Sequence, residues 1–153
     1  MQFTHIIVPL HHQNNNKYMD IKELYKLYLA HPCITTDSRE CPKDSIFLAL
    51  KGASFDGNRF AQAALEKGCA YAIVSELTNP ETQKDDCRYI LVNDTLQTFK
   101  DLAREHRCHF DLPIIGITGT NGKTTTKELT KAVLAECYNV MATEGNFNND
   151  IGV

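Results

Sequence analysis

The chain has 153 residues, 42% of them hydrophobic and 23% charged, with a formal net charge of -3. That composition excludes a disordered polymer, and no apolar run comes near the roughly 18 residues needed to cross a bilayer, so a soluble cytoplasmic protein with no membrane partner is expected. The 16 Lys and Arg residues are scattered along the sequence, which argues against the basic patch that a nucleic-acid partner demands.

Residues 1–16 have neither the basic start nor the continuous apolar run of a secretion signal. The polar stretch at 11–16, HHQNNN, gives way abruptly to an amphipathic pattern at Met19. Residues 1–18 are therefore expected to be a tail that does no chemistry, with Met19 as the true initiator; a metal site at His11 and His12 is the competing reading. From Asp20 onward Ile21, Leu24, Tyr25 and Tyr28 recur at helical spacing, and the helix must end before Pro32. Residues 45–50 (SIFLAL) read as a short strand, and 56–58 as a turn. Next comes a helix through Phe60, Ala61, Ala64 and Leu65, closed by Gly68. Residues 70–75 (AYAIVS) and 88–92 (RYILV) have the composition of strands buried on both faces, and Leu96, Phe99, Ala103 and His106 mark another amphipathic helix. Such alternation defines an α/β protein.

Pro113 restarts the chain in an extended conformation, so a unit spanning 19–110 and a second spanning 111–153 are expected. The second reads as one βαβ unit: a strand at 114–118, a glycine-rich turn, a helix at 123–136 and a returning strand at 138–143. Six cysteines, at 33, 41, 69, 87, 108 and 137, contain no CxxC pair, which favours free thiols in a reducing compartment over disulfides or metal ligation. Cys108 and Cys137 read as small buried apolar groups, and His106 and His109 are assigned no chemistry.

The segment Gly116-Ile117-Thr118-Gly119-Thr120-Asn121-Gly122-Lys123-Thr124 sits between the apolar strand and the helix. Glycines at 119 and 122 let successive N–H groups turn inward, and the first helical turn adds unpaired donors and a positive dipole end. This nest suits phosphate. Gly119, Thr120, Asn121, Gly122, Lys123, Thr124 and Thr125 are the expected ATP-binding set, with Lys123 supplying a mobile ammonium and the Thr124 hydroxyl placed to ligate Mg²⁺. Lys123 and Thr124 are the expected catalytic pair. Thr125 and Thr126, further into the helix, are expected to pack or bond the preceding turn rather than act directly. The strict P-loop pattern is not met, because its first glycine falls one residue early, at 116. A ligand-free strand-to-helix turn is the competing reading.

The variant GITGTNGKTTT at 116–126 resembles the ATP loop of the Mur ligases and of folylpolyglutamate synthase. Upstream, Thr36-Asp37-Ser38-Arg39, the run 44–52 and Phe55-Asp56-Gly57 are similar to the uridine-nucleotide-binding N-terminal domain of Mur ligases, which folylpolyglutamate synthase lacks. Downstream, residues 143–153 (TEGNFNNDIGV) are similar to the branch of the family that adds D-alanyl-D-alanine to UDP-N-acetylmuramoyl-tripeptide. The branch that adds the third residue shares the first two motifs and is the alternative.

The resemblance implies a small α/β uridine-nucleotide-binding domain followed by the start of a P-loop, parallel-sheet ATPase domain. It implies an ATP-dependent amide-bond ligase of peptidoglycan precursor synthesis, working through an acyl phosphate, with Mg²⁺ and as a monomer. Thr36, Ser38, Ala53, Ser54 and Phe55 match positions expected to meet the UDP-substrate; Asn148 and Asn149 follow a strand end, the side of an open sheet where ligands bind, and are expected to meet substrate or nucleotide, with loop capping as the competing reading. Asp37 and Arg39 are open between nucleotide contact and an internal ion pair. The rest of the family's ATPase and C-terminal domains has no counterpart before Val153. The chain is thus expected to be an N-terminal fragment inactive alone, or else a non-catalytic uridine-nucleotide-binding module.

Overall fold

Alternating burial on three consecutive strands determines the architecture of the first unit. On the strand β2 (Ile46–Leu48), Ile46 and Leu48 face one side of a sheet while Phe47 and, just beyond, Ala49 face the other. The same division recurs on β3 (Tyr71–Val74), where Ile73 opposes Ala72 and Val74, and on β4 (Tyr89–Leu91), where Ile90 opposes Tyr89 and Leu91. Both faces need a cover, and helices supply it. In this computed structural model, which describes residues 18–52 and 54–145, the chain divides into two units, Met1–Asp111 and Leu112–Val153.

The first unit is a four-stranded parallel sheet in the order β1 (Ile34–Thr35), β2, β3, β4, with registers Ile34 to Ile46, Ile46 to Tyr71 and Ile73 to Ile90. One face is covered by α1 (Ile21–Ala30) and, packed beside it, α4 (Thr95–Cys108); Leu24, Tyr25 and Leu102 join Ile46, Leu48, Ile73, Ile90 and Val92 in one core. The other face carries α2 (Ala61–Lys67), whose Ala61, Ala64 and Leu65 meet Phe47, Ala49, Cys69, Ala72 and Val74. Each large aliphatic side chain removed from water here contributes about 1.5–3 kcal/mol. A single turn of helix, α3 (Pro80–Gln83), links β3 to β4.

Local chemistry explains where these elements stop and start. Gly68 closes α2 at φ 121°, a conformation that L side chains rarely adopt. The Asp94 carboxylate accepts from the Gln97 amide at 2.8 Å to open α4, and His106 and Arg107 lie in its last turn, where the dipole favours positive charge. His106 and His109 help seat α4 on α1: the Tyr25 hydroxyl lies 3.2 Å from His106 Nδ1, and the His109 ring stacks on Tyr25 at 4.6 Å.

The second unit contains α5 (Lys123–Ala135). The expected strands at 114–118 and 138–143 do not form among the described residues. A parallel strand exists only when a neighbour supplies its ladder bonds, and no described segment pairs with either. Ile114, Ile115, Leu129, Val133, Tyr138 and Met141 are accordingly exposed. Burial was also misjudged at Cys108 and Cys137, both exposed: the first ends α4, and the second follows α5 in a unit with no buried position among its described residues. No helix among the described residues is long and apolar enough to cross a membrane. The tail at 1–17, with His11 and His12, lies outside the described residues.

Candidate functional site

The glycine-rich loop at 116–124 takes its shape from local determinants, with no strand formed before it among the described residues. Gly119 has φ 138° and Gly122, the residue that opens α5, has φ 76°; both are conformations natural to glycine and strained for other residues. Between them the chain reverses and enters the helix at Lys123. The first-turn amides of α5 have no earlier helical carbonyl to bond, and the Gly122 side-chain hydrogen offers them no cap. Such a terminus is a general anion-binding geometry. Gly122 gives its carbonyl to the Thr126 amide at 2.9 Å, the first bond of the helix.

Lys123 is half-buried, with its Nζ folded back onto the carbonyl of Gly119 at 2.6 Å and that of Thr120 at 3.4 Å. The ammonium therefore already sits over the loop, held among the described residues by backbone dipoles, against which a phosphate oxygen would compete through charge. Thr120, Asn121, Thr124 and Thr125 are exposed. Among the described residues no cluster of three or more His, Cys, Asp or Glu could cage a metal. Of the exposed hydroxyls at Thr120, Thr124 and Thr125, the one that directly follows the lysine is that of Thr124. That donor fits Mg²⁺, which retains water and binds through one or two protein ligands plus substrate phosphates.

The second group of candidates lies in the first unit, on loops that leave the carboxyl ends of neighbouring parallel strands, the edge where open α/β sheets bind ligands. Thr36 follows β1 directly and is exposed. Beyond it the backbone turns over the α2 face, where Lys67 of α2 donates to the Ser38 carbonyl at 2.7 Å. Asp37 and Arg39 form an ion pair, with Arg39 Nε 2.9 Å from Asp37 Oδ1 and Nη2 2.6 Å from Oδ2. That pairing, reinforced by the Arg39 amide, pulls the Asp37 carboxyl down to about 2. Asp37 and Arg39 thus satisfy each other, and Ser38 between them is half-buried.

The loop after β2 carries Ser54 and Phe55, both exposed. It is a narrow hairpin, with Gly52 N bonded to the Phe55 carbonyl at 2.8 Å and Lys51 bridged to Asp56. Phe55 stacks on Phe60 with ring centres 5.4 Å apart and planes 8° from parallel. Lys51 Nζ reaches Glu76 Oε1 at 3.2 Å, tying this loop to the one after β3. Below it Asp56 opens a 3₁₀ turn, Gly57–Phe60. Burial pushes the Asp56 carboxyl up, but hydrogen bonds from Asn58, with Lys51 nearby, outweigh it and leave the group below its ordinary range. Ala53, Asn148 and Asn149 lie outside the described residues.

Two residues that the sequence did not single out hold these loops. Asn58 is buried and bonds both Asp56 and Ser75, and Lys127 bonds two distant carbonyls of the second unit. An Asx-type turn signal at 56–58 was legible for the first; the spacing of four from Lys123 marked Lys127 only as sharing its helix face.

A four-stranded parallel sheet and, further along the chain, a glycine-rich loop opening a helix both fall within segments that match models of a single ligase family. The model described as Mur ligase family, catalytic domain matches residues 32–107, and Mur ligase middle domain matches residues 117–153. The chain belongs to the Mur ligase family. Within it, the chain is similar to the N-terminal part of UDP-N-acetylmuramoyl-tripeptide--D-alanyl-D-alanine ligases. It is 46% identical to that of Synechocystis sp. over 120 residues, covering 78% of this chain and 26% of the relative. Against that of Bacillus subtilis it is 39% identical over 142 residues, covering 88% and 31%. The crystal structure of MurF ligase from Thermotoga maritima in complex with ADP matches with a TM-score of 0.68 at 34% identity, covering 76% of this chain and 26% of that one. The chain thus spans between 26% and 31% of the length of these relatives.

Proposed function

We propose that this chain carries the UDP-substrate loops and the ATP phosphate loop of a cytoplasmic, monomeric ligase that adds D-alanyl-D-alanine to UDP-N-acetylmuramoyl-tripeptide. Residues 19–110 form the UDP-substrate unit and residues 111–153 begin the ATP-binding unit. The observation that carries the reading is Lys123, poised at the amino end of α5 between a reversed glycine loop and unpaired helix amides.

A peptide carboxylate is a poor electrophile, so the reaction first transfers the γ-phosphoryl of ATP to it. The amine of D-alanyl-D-alanine then attacks the acyl carbon, and phosphate leaves with the bonding electrons. Lys123 follows the charge that builds on the transferring oxygens, and the amides of residues 120–123 hold the remaining phosphates in line. Mg²⁺ supplies further positive charge when bound, with the Thr124 hydroxyl as its protein ligand. Gly119, Thr120, Asn121, Gly122 and Thr125 complete the ATP cradle. Thr36, Ser38, Ala53, Ser54, Phe55, Asn148 and Asn149 are assigned to the UDP-substrate.

Calorimetric titration of the chain tests both halves. UDP-N-acetylmuramoyl-tripeptide should bind saturably, and Ser38→Ala should weaken that binding while leaving Mg·ATP unchanged. Lys123→Ala should remove Mg·ATP binding and leave the UDP-substrate unchanged. A folded chain that ignores UDP-N-acetylmuramoyl-tripeptide would overturn the ligase reading, and Mg·ATP binding untouched by Lys123→Ala would remove Lys123 from it.

A further inference from the structure

Two lysines sit in the first two turns of α5, at 123 and 127, four residues apart and so on one face of the helix. By charge and reach each is a candidate for a phosphate at the loop. Their surroundings differ. Lys123 bonds carbonyls three and four residues back in its own loop. The Lys127 ammonium instead donates to the Gly145 carbonyl at 2.8 Å and to the Thr143 carbonyl, and pairs with Glu128 Oε1 at 2.9 Å. Gly145 adopts φ 51°, at the turn that follows. The Lys127 side chain is only 15% exposed, in a unit whose described residues include no buried position. Holding a four-carbon side chain in one geometry costs rotamer freedom, so three acceptors around one ammonium mark a fastening rather than a passing contact.

We propose that Lys127 is a positioning residue: it latches the return segment 143–145 onto the helix behind the phosphate loop, and leaves Lys123 as the lysine of these two turns available to a bound phosphate. The second half rests on the phosphate-loop reading above; the latch does not. Glu144 lies between the two carbonyls that Lys127 holds, so a protease that cleaves after glutamate reports on it directly. Glu136, at the end of α5, reports on the helix, and exposed Glu40 in the first unit is an internal standard.

The experiment is timed cleavage of the full chain by a glutamate-specific endoproteinase, with sites identified by mass, alongside Mg·ATP titration. In Lys127→Met, cleavage after Glu144 should accelerate at least tenfold while cleavage after Glu136 and Glu40 holds its wild-type rate. Lys127→Arg, which keeps charge and reach, should restore protection. An unchanged rate after Glu144 in Lys127→Met overturns the latch. Should cleavage after Glu136 rise as well, α5 itself has loosened and the Arg variant decides: protection regained upholds the latch, protection still absent overturns it. Lys123→Met should abolish Mg·ATP binding with Glu144 still protected. Retained binding in that variant would show Lys127 substituting and would overturn the division of labour; a wild-type chain that binds no Mg·ATP would sink the phosphate-loop reading and leave the latch standing on the cleavage rates.

Discussion

The carboxamide of Asn58 reaches across seventeen positions of sequence to clasp Ser75, accepting from its backbone amide at 3.0 Å and donating to its hydroxyl at 3.0 Å. A third bond, 2.8 Å to Asp56, fixes the turn that carries the β2 loop. One side chain thereby joins the loop after β2 to the end of β3, and it is 1% exposed. Asn58→Leu should cost about 2 kcal/mol or more, since it strands the Ser75 amide and takes from Asp56 one of the two bonds that Asn58 gives it, the backbone one remaining. Urea unfolding followed by far-ultraviolet circular dichroism gives the number, and a loss below about 0.5 kcal/mol would mean that water replaces the carboxamide.

Gly57 is needed for space. A Cβ there would lie 2.6 Å from the Leu50 oxygen and 2.9 Å from the Ala49 carbonyl carbon, both backbone atoms. Gly57→Ala should destabilise by about 1–3 kcal/mol through overpacking, whereas Gly52→Ala, whose Cβ would meet only the Phe55 oxygen at 4.0 Å, should fall within about 0.5 kcal/mol of wild type. Equal effects in the same unfolding assay would contradict the close approach.

The Asp37 carboxyl should titrate near 2 rather than at its ordinary 3.8. A depressed acid stabilises the folded loop fully above its unfolded value, and that contribution disappears as pH falls from 3.8 through about 2. Removing the partner with Arg39→Gln should return the midpoint toward 3.8, read from the Asp37 carboxyl carbon shift by nuclear magnetic resonance. A midpoint that stays near 2 would assign the effect to the loop amides instead.

Among the loop glycines the ranking should follow dihedral angle rather than motif position. Gly119 and Gly122 have positive φ, and Gly116 does not; nothing lies within 4 Å of a Cβ added at Gly116. Gly119→Ala and Gly122→Ala should each weaken Mg·ATP binding by at least tenfold, and Gly116→Ala by less than threefold. The reverse order in titration calorimetry would give Gly116 a direct part in the nest.

Under native conditions a maleimide should label Cys33, Cys87, Cys108 and Cys137 quickly, all four being exposed, and spare Cys69, which is buried against Ser45 Oγ at 3.2 Å. Rapid labelling at Cys69 would show that the α2 face of the core opens on the timescale of the reaction.

What the sequence disclosed depended on how locally each feature is specified. Periodicity located α1, where Leu24 and Tyr25 bury the stripe that the spacing describes, and α4, although there Leu102 is the buried residue and Ala103 of the expected stripe is exposed; α5 was legible from its glycine start, for which i to i−4 bonds suffice. Residues 70–75 and 88–92 read correctly as strands because Ala72 to Val74 and Ile90 have partners on either side or on both faces. The run 114–118 has equally apolar residues and no described neighbour, and composition cannot announce a neighbour. Cys108 and Cys137 failed for a related reason: burial is a property of what lies opposite. For Asp37 and Arg39 the sequence allowed either pairing or ligand contact, and it is the structure that shows the fork of hydrogen bonds between them. The nest glycines were legible because a positive φ is written in the residue type itself.

The outer strands of the parallel sheet have a further consequence. β1 contributes two residues and β4 three, so each lateral edge exposes under about 10 Å of ladder. Immediately after β1 the Thr35 hydroxyl accepts from the Asp37 amide and donates to the Glu40 carbonyl, turning the backbone away before a longer edge can develop. A stray strand from another molecule would find too few free amides there to register against, which disfavours edge-to-edge growth into aggregates while the chain is being made.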